Sequence, residues 1–266
     1  MTKKIEQLRL RVFAGPNGSG KSTVIQFVRN YKVNDQPIDF GYYINADDIA
    51  GELRTGQFRF KMFGISTTNK EFFSSTVATG LINEKFTEEA FKSSYQLKAS
   101  TIKLLKPGAN ERLAQIIADF LRKKLLEKKE RFSFETVFSH PSKLEIMKEA
   151  KEKGYKVYLY FVSTESPEIN KLRVRSRKDQ GGHDVPTDLI ESRYYRSLDL
   201  LYEACQVAYQ VYFFDNSIEG EESDMFAHFK MEKGKKHWDE INLENVPAWF
   251  RKYYSDKIKR TKINGS

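Results

Sequence analysis

Apolar residues occur along the chain in short runs that alternate with stretches of helical spacing. Leu8–Ala14 is rich in apolar residues and leads into a glycine turn, which predicts a buried strand. Similar runs predict four more strands, at Tyr42–Asn45, Phe132–Phe134, Val157–Val162 and Gln210–Phe214. Intervening helices are predicted at Thr23–Arg29, Asp47–Arg54 and Ser142–Lys153. Nearly continuous apolar strands separated by helices predict an α/β fold with a parallel sheet and helices on both faces.

Two regions depart from this alternation. Gln57–Pro107 shows helical spacing and predicts an inserted helical region. Beyond Ser217, two short runs around a Glu-Lys-Gly-Lys turn predict a hairpin, and a last amphipathic helix is predicted from Trp249 to Ile258. The predicted organisation is therefore a core over residues 1–217 that contains the 57–107 insertion, followed by a C-terminal hairpin-helix appendage over 218–266.

A glycine-rich motif follows the first predicted strand and opens the first helix. It fits the P-loop pattern G-x-x-x-x-G-K-[ST] at every position, and Thr23 follows it. The motif reads Gly15, Pro16, Asn17, Gly18, Ser19, Gly20, Lys21, Ser22. Its N–H groups form an anion nest at a helix N-terminus, Lys21 reaches the outer phosphates, and the Ser22 hydroxyl suits Mg²⁺. The motif predicts ATP binding on a P-loop nucleoside-kinase-like sheet.

Charge narrows the choice of partners. The formal net charge is +9, and Arg122–Arg131 and Arg251–Ser266 carry net charges of +4 and +5, which together account for the excess. A nucleic-acid-binding protein more often spreads its basic residues over one face, so we expect a solvated helix end and tail and no nucleic-acid partner.

Apolar length and cysteine content bear on location. The longest uncharged run, Phe72–Asn83, has twelve residues, whereas a membrane-spanning helix needs about 20. A signal-peptide pattern is absent from the start of the sequence, and Cys205 is the only cysteine. We therefore expect a cytoplasmic protein that does not cross a membrane.

Acidic residues follow the second and third predicted strands, where a sheet of this type holds its ligands. Asp47 and Asp48 come after the second strand. We expect Asp47 to accept a proton from a substrate hydroxyl and Asp48 to cap the helix. Glu135 and Thr136 follow the third strand, and Glu135 is expected either to bind substrate or Mg²⁺ or to serve a structural role.

Arginines cluster before a glycine break at residues 181–182. Arg173 and Arg177 share a helix face, whereas Arg175 points elsewhere. This pattern indicates either a lid that brings charge to a transferring phosphoryl group or a solvated basic helix. On the far side of the break, His183, Arg193 and Arg196 are expected to complete the substrate-binding cluster.

Four segments together resemble the zeta-toxin family of P-loop kinases: AGPNGSGKST, INADDIA, FETVFSHPSKL and RVRSRKDQGGHDVP. The resemblance, to the branch with a GGHDVP lid, implies transfer of the ATP γ-phosphate to a small-molecule hydroxyl. The implied acceptor is UDP-N-acetylglucosamine or a related nucleotide sugar, and the implied partner is an antitoxin protein. Asp47 matches the catalytic base of the family, Glu135 a substrate-side acid, and Arg173 and Arg177 the lid arginines.

Three activities stay open at this point. The first is a zeta-like kinase that acts on a small molecule, and the second is a polynucleotide 5′-kinase. The third is a nucleotide-binding switch without an acceptor. A base and lid arginines favour the kinases, since a switch needs no group to take a proton from a hydroxyl. His183 stands where the family has a lid arginine, and the 57–107 insertion falls where an acceptor would be enclosed.

Overall fold

A computed structural model describes residues 7–77, 80–180, 185–218, 220, 223–239 and 246–264. Within it the chain forms two compact units. The first unit contains the chain up to residue 40 and from 133 onward, and the second contains 41–132. None of the helices among the described residues is long and apolar enough to cross a membrane.

The elements alternate along the chain much as the hydrophobic pattern predicts. Up to the end of the second unit they are β1 (Arg9–Ala14), α1 (Lys21–Asn30), β2 (Lys32–Val33), β3 (Gln36–Pro37), β4 (Tyr42–Ile44), α2 (Ala46–Thr55), β5 (Gln57–Arg59), α3 (Asn69–Val77), α4 (Glu88–Ser94), β6 (Tyr95–Lys98), β7 (Thr101–Leu104) and α5 (Asn110–Glu127). They continue with β8 (Phe132–Thr136), α6 (Ser142–Glu152), β9 (Lys156–Ser163), α7 (Pro167–Asp179), α8 (Thr187–Asp199), α9 (Leu201–Val207), β10 (Gln210–Asp215), β11 (Asp224–Glu232), β12 (Lys235–Trp238), α10 (Ala248–Phe250) and α11 (Asp256–Asn264).

Six strands of the first unit lie in one sheet in the order β12-β11-β10-β9-β1-β8, and β2 and β3 pair as a separate two-stranded sheet. β9 pairs in parallel with β1 on one side and with β10 on the other. The hairpin β11–β12 then extends the sheet in antiparallel fashion. The predicted α/β fold with parallel central strands is confirmed, and the P-loop leaves β1 between β9 and β8.

The C-terminal segment contributes to the core of the first unit. Tyr254 lies in a five-residue π-helical segment before α11 and is 1% exposed. Its ring lies 5.5 Å from that of Phe213 on β10, and the Phe250 ring lies 4.9 Å from the same side chain. The predicted hairpin is confirmed. The expectation that the basic segment from 251 onward is solvated is wrong at Tyr254, which is buried within it.

The second unit corrects the expectation of a purely helical insertion at 57–107. Helices α3 and α4 are present, but β5, β7 and β6 form an antiparallel sheet beside them. The hairpin β6–β7 turns at Ala99 and Ser100, whose φ angles are +49° and +59°. A two-residue turn of this kind usually carries glycine or asparagine, so the sequence contains no turn signal there.

Aromatic rings hold the second unit together. Phe72 is fully buried, and its ring lies 5.2 Å from that of Phe120 on α5 and 5.4 Å from that of Tyr95 on β6. Both pairs meet edge to face, the arrangement that aromatic quadrupoles favour. Phe72 on α3 therefore packs against both the small sheet and α5.

Candidate functional site

The P-loop is a left-handed glycine turn between β1 and α1. Gly15, Gly18 and Gly20 have φ angles of +149°, +74° and +90°. A Cβ at Gly15 would stand 2.0 Å from the carbonyl oxygen of Val162 on β9, so backbone passes too close for any side chain. Gly20 also precedes α1 without a side chain to cap it. The helix N-terminus therefore offers its positive end to an anion.

Lys21 and Glu135, two predicted site residues, lie together at the base of this loop. Lys21 is 7% exposed, and its Nζ donates to the Pro16 carbonyl oxygen at 2.9 Å. The same Nζ is 3.8 Å from Oε1 of Glu135, at the end of β8. Ser22, the next residue, is exposed. The lysine is thus held by the loop that it is expected to serve, with a carboxylate beside it.

Buried polar atoms in the loop test whether it fits a phosphate chain. The Ser19 side chain is fully buried, and its Oγ has no hydrogen-bond partner among the described residues. The Asn17 Oδ1 atom is likewise buried without a partner there. The Ser19 hydroxyl, which can donate, fits the oxygens of a nucleoside triphosphate with its Mg²⁺, as do the lysine ammonium and the turn of glycines.

Asp47 lies in the first turn of α2, in the second unit. Its backbone N–H donates to Oδ1 of Asn45 at 2.8 Å, so Asn45 is the N-cap of the helix. The expectation that Asp48 caps α2 is wrong: both aspartates follow the cap, where a negative charge is favoured by the helix dipole. Both side chains are exposed, as a proton acceptor for a substrate requires.

The two arginines predicted for a lid, Arg173 and Arg177, differ in their surroundings. Arg173, on α7, is half-buried, and its guanidinium donates to the carbonyl oxygens of Asn216 at 2.7 Å and Ile218 at 3.4 Å. Arg175 and Arg177 are exposed. Arg173 therefore fixes the chain that leaves β10, whereas Arg177 stands in the last turn of the helix.

Helix α8 carries the other two predicted arginines. Burial, and then the nearby charge of Arg196, lower the pKa of Arg193. Arg196 also donates to the Ser192 carbonyl at 3.1 Å. The two arginines lie three positions apart on α8, a spacing that places them on neighbouring positions of one helix face. His183, predicted between α7 and α8, lies outside the described residues.

Thr136 serves the local backbone. Its hydroxyl accepts a hydrogen bond from the N–H of Phe138 at 3.1 Å. Phe138 is fully buried with a φ of +59°, so this bond holds the turn after β8 in an unusual conformation for a large residue. The substrate-binding role expected of Thr136 stays a prediction.

Two asparagines outside the motif contact the P-loop. Asn216, directly after the last predicted strand, was expected to help shape the adenine site, whereas Asn170 was missed. The Asn170 side chain donates to the Asn17 carbonyl, and the Asn216 side chain donates to the Ser19 carbonyl at 3.0 Å. The position of Asn216 directly after a strand of the sheet was a usable signal for a site residue. Asn170 gave none, because an asparagine near the start of a helix has many ordinary uses.

Comparison with known proteins bears on this arrangement. The zeta toxin family model matches residues 109–218, which include Glu135, both lid arginines and Asn216 but not the P-loop. An uncharacterized protein of Haemophilus influenzae is 36% identical over 63 residues, which are 24% of this chain and 45% of that protein.

Solved structures show a related fold. A chain of the AvrRxo1-ORF1:AvrRxo1-ORF2 complex with sulphate ions is similar with a TM-score of 0.50 and 17% identity, over 90% of this chain and 62% of that one. A chain of the PezAT toxin-antitoxin system of Streptococcus pneumoniae gives 0.45 and 13%, over 80% and 70%. The chain thus spans less than two-thirds of the length of the Haemophilus and AvrRxo1 proteins. The zeta-toxin likeness predicted from four motifs is confirmed, and the family match itself covers residues 109–218.

Proposed function

We propose that this protein is an ATP-dependent kinase that transfers the γ-phosphate to a hydroxyl of a small molecule. The leading acceptor is UDP-N-acetylglucosamine or a related nucleotide sugar. The observation that carries the proposal is Lys21, buried in a glycine P-loop with its ammonium 2.9 Å from the Pro16 carbonyl and 3.8 Å from the Glu135 carboxylate. A lysine held in this way meets a phosphate chain already in position.

In the proposed mechanism each charged residue has a separate task. Lys21 neutralises the outer phosphates, and Asp47 accepts the proton of the acceptor hydroxyl. Mg²⁺ would be held by the Ser22 hydroxyl and would supply further charge neutralisation on the phosphates. Arg177 brings positive charge to the transferring group, whereas Arg173 orients the chain after β10. Catalysis then consists mainly of positioning and charge neutralisation.

The paired arginines on α8 support an anionic acceptor. Arg193 and Arg196 lie close enough for the charge of one to lower the pKa of the other. Such a pair gains most from a ligand that carries two negative charges, as the diphosphate of a nucleotide sugar does. Glu135, beside Lys21, is the proposed contact for a hydroxyl of the acceptor.

A small-molecule acceptor is favoured over a polynucleotide by the way α5 uses its basic residues. Arg122 is buried and lies 3.2 Å from Asp119, which also contacts Lys123 at 3.1 Å. Lys124 lies 2.8 Å from Glu71 and 2.7 Å from Glu127. Cations already paired with carboxylates have few counterions to release on binding a phosphate backbone.

The zeta-toxin resemblance further suggests a protein partner that holds the kinase silent. The AvrRxo1-ORF1 relative was crystallised with AvrRxo1-ORF2, and PezAT is a toxin-antitoxin system. By analogy we propose an antitoxin protein for this chain. A small open reading frame beside its gene, whose product suppresses growth arrest by this protein, would support that partner.

Labelled ATP tests the activity directly. The purified chain is incubated with [γ-³²P]ATP and Mg²⁺ beside a panel of nucleotide sugars, nucleosides and 5′-hydroxyl oligonucleotides. We expect label on a nucleotide sugar and none on the oligonucleotides. Label on oligonucleotides alone would replace the proposal with a polynucleotide kinase, and ATP binding without transfer to any acceptor would favour a nucleotide switch.

A further inference from the structure

Two asparagine side chains, from Asn170 and Asn216, contact the P-loop from separate elements; we call them the asparagine pair. Asn170 lies early in α7 and is fully buried. Its Nδ2 donates to the Asn17 carbonyl, and its Oδ1 accepts from the Thr164 hydroxyl. Asn216 follows β10, and its Nδ2 donates to the Ser19 carbonyl. The pair therefore holds the loop at two carbonyls that lie on either side of Gly18.

Because a peptide unit is planar, these two hydrogen bonds also fix the orientation of two backbone N–H groups. In a trans peptide unit the carbonyl and the N–H point in opposite directions. The Asn17 carbonyl shares its unit with the N–H of Gly18, and the Ser19 carbonyl shares its unit with the N–H of Gly20. Because an amide holds each carbonyl, both N–H groups point away from the asparagine pair.

Steric contacts fit the same arrangement. A Cβ at Gly20 would stand 1.9 Å from Nδ2 of Asn216, and one at Gly18 would stand 2.7 Å from the Asn170 carbonyl oxygen. The glycines thus permit both N–H donation to phosphate and the close approach of the pair. Any side chain at position 20 would displace the Asn216 amide.

The backbone of Asn216 is itself fixed. Its N–H donates to the Ser163 carbonyl at 2.9 Å, and its carbonyl accepts from Arg173 at 2.7 Å. The Asn216 amide therefore approaches the loop from a segment that is tied to β9 and to α7. Such a segment is pre-organised, so little ordering remains to be done when a ligand binds.

We infer that Asn170 and Asn216 are positioning residues that aim the N–H groups of Gly18 and Gly20 at the phosphate chain. The inference rests on the proposed function, since it presupposes that the loop binds a nucleoside triphosphate. It adds residues outside the P-loop motif that determine affinity for the phosphates. Their loss weakens phosphate binding, and the fold of the sheet remains.

Three variants of the full chain test the inference by calorimetric titration with ATP. Asn216→Ala and Asn170→Ala each remove one bond to the loop. Thr164→Val is the matched control, since it disturbs the surroundings of Asn170 but leaves the amide that donates to Asn17. We expect ATP affinity to fall about 3- to 10-fold in each alanine variant, the value of one hydrogen bond, and to stay within about twofold in the control.

A second measurement distinguishes a lost orientation of the glycine N–H groups from a general loosening of the P-loop. In protein labelled with ¹⁵N-glycine, ATP should shift the amide proton resonances of Gly18 and Gly20 in the wild type. We expect a smaller shift at Gly20 in Asn216→Ala and at Gly18 in Asn170→Ala, with unchanged shifts in Thr164→Val. If Asn170→Ala does not fold, Asn170→Asp keeps its size and the acceptor for Thr164 while losing the donor.

The outcomes are distinguishable. If the wild type binds ATP and folded variants bind it equally well with unchanged glycine shifts, the inference about the asparagine pair is overturned. If the wild type itself fails to bind ATP, the proposed function is overturned and this inference with it. Weaker binding with reduced shifts at the matching glycines supports both.

Discussion

The P-loop and the turn that carries Asp47 are held in place by different kinds of contact. The P-loop depends on side chains distant in sequence: Asn170 is 153 residues from its partner Asn17, and Asn216 is 197 from Ser19. Asp47 depends on Asn45, only two residues away. The comparison indicates that the first region forms only when the sheet is complete, whereas the second is specified locally by a helix cap.

Removing the lysine charge is expected to have the largest effect. Lys21→Met keeps the aliphatic stem but removes the ammonium that faces Pro16 and Glu135. We expect turnover to fall by about 10²- to 10³-fold, the usual loss when a pre-organised charge is removed. Steady-state kinetics with the responsive acceptor measures it, beside circular dichroism for the fold. A loss below about tenfold, roughly 1.4 kcal/mol of barrier, would contradict the role given to Lys21.

Asp47→Asn should have the next largest effect. The amide is nearly isosteric but does not accept the proton of the acceptor hydroxyl, so phosphoryl transfer should fall by about 10²-fold with ATP affinity preserved. The fold should survive because Asn45, not Asp47, caps α2. Calorimetry and product formation are compared with Asp48→Asn, a control in the same turn that should transfer normally. Full transfer by the Asp47 variant would exclude it as the base.

Asn45→Ala sharpens the comparison between local and long-range support. It removes the side chain that accepts from the Asp47 N–H and should cost about 1 kcal/mol of unfolding free energy. Urea unfolding of the full chain measures this loss. Asp48→Asn removes only a charge that the helix dipole favours and should lower stability by less, and an equal loss in both variants would argue against the cap.

The smallest expected effect concerns pH. A hydrogen bond from Lys124 lowers the pKa of Glu71, with smaller contributions from Thr67 and Thr68. Because the folded pKa is below the unfolded value near 4.5, the charged pair stabilises above that pH and loses its contribution as pH falls through the folded pKa.

Glu71→Gln should therefore lower stability at pH 7 by less than about 1 kcal/mol, since the pair is partly exposed. The difference from wild type should disappear in acid. Unfolding curves at several pH values test it, with Glu84→Gln at an exposed position as the control. A difference that persists at acidic pH would mean that packing, not charge, explains the loss.

The parts predicted from sequence are those with short-range signals. The P-loop spacing, the apolar strands β1, β9 and β10 and the Glu-Lys-Gly-Lys hairpin turn each follow from neighbouring residues. The β6–β7 hairpin was missed because Ala99 and Ser100 adopt left-handed φ angles without a glycine. Its stability comes from burial of the flanking residues, which a local pattern does not contain.

In the candidate site, too, only features with short-range sequence signals could be predicted. Lys21 and Glu135 were both predicted as site residues because each follows a strand of one sheet, and the structure places their charged groups 3.8 Å apart. Helical spacing predicted the same role for Arg173 and Arg177 because it places both on one helix face. It does not reveal that Arg173 donates to the carbonyls of Asn216 and Ile218. The position of Asn216 after a strand indicated a site residue, but its contact with Ser19 depends on the topology of the sheet and was not predicted.

Cys205 has a practical consequence for labelling the protein in solution. It is the only cysteine in the sequence, is fully buried in α9, and burial raises the pKa of its thiol. Since the thiolate is the form that reacts, maleimide reagents should leave it untouched in the native protein. A fluorophore attached through Arg175→Cys, at an exposed position on α7, would then label one site without removal of the native thiol. A single added cysteine is therefore enough to prepare this protein for single-site spectroscopy.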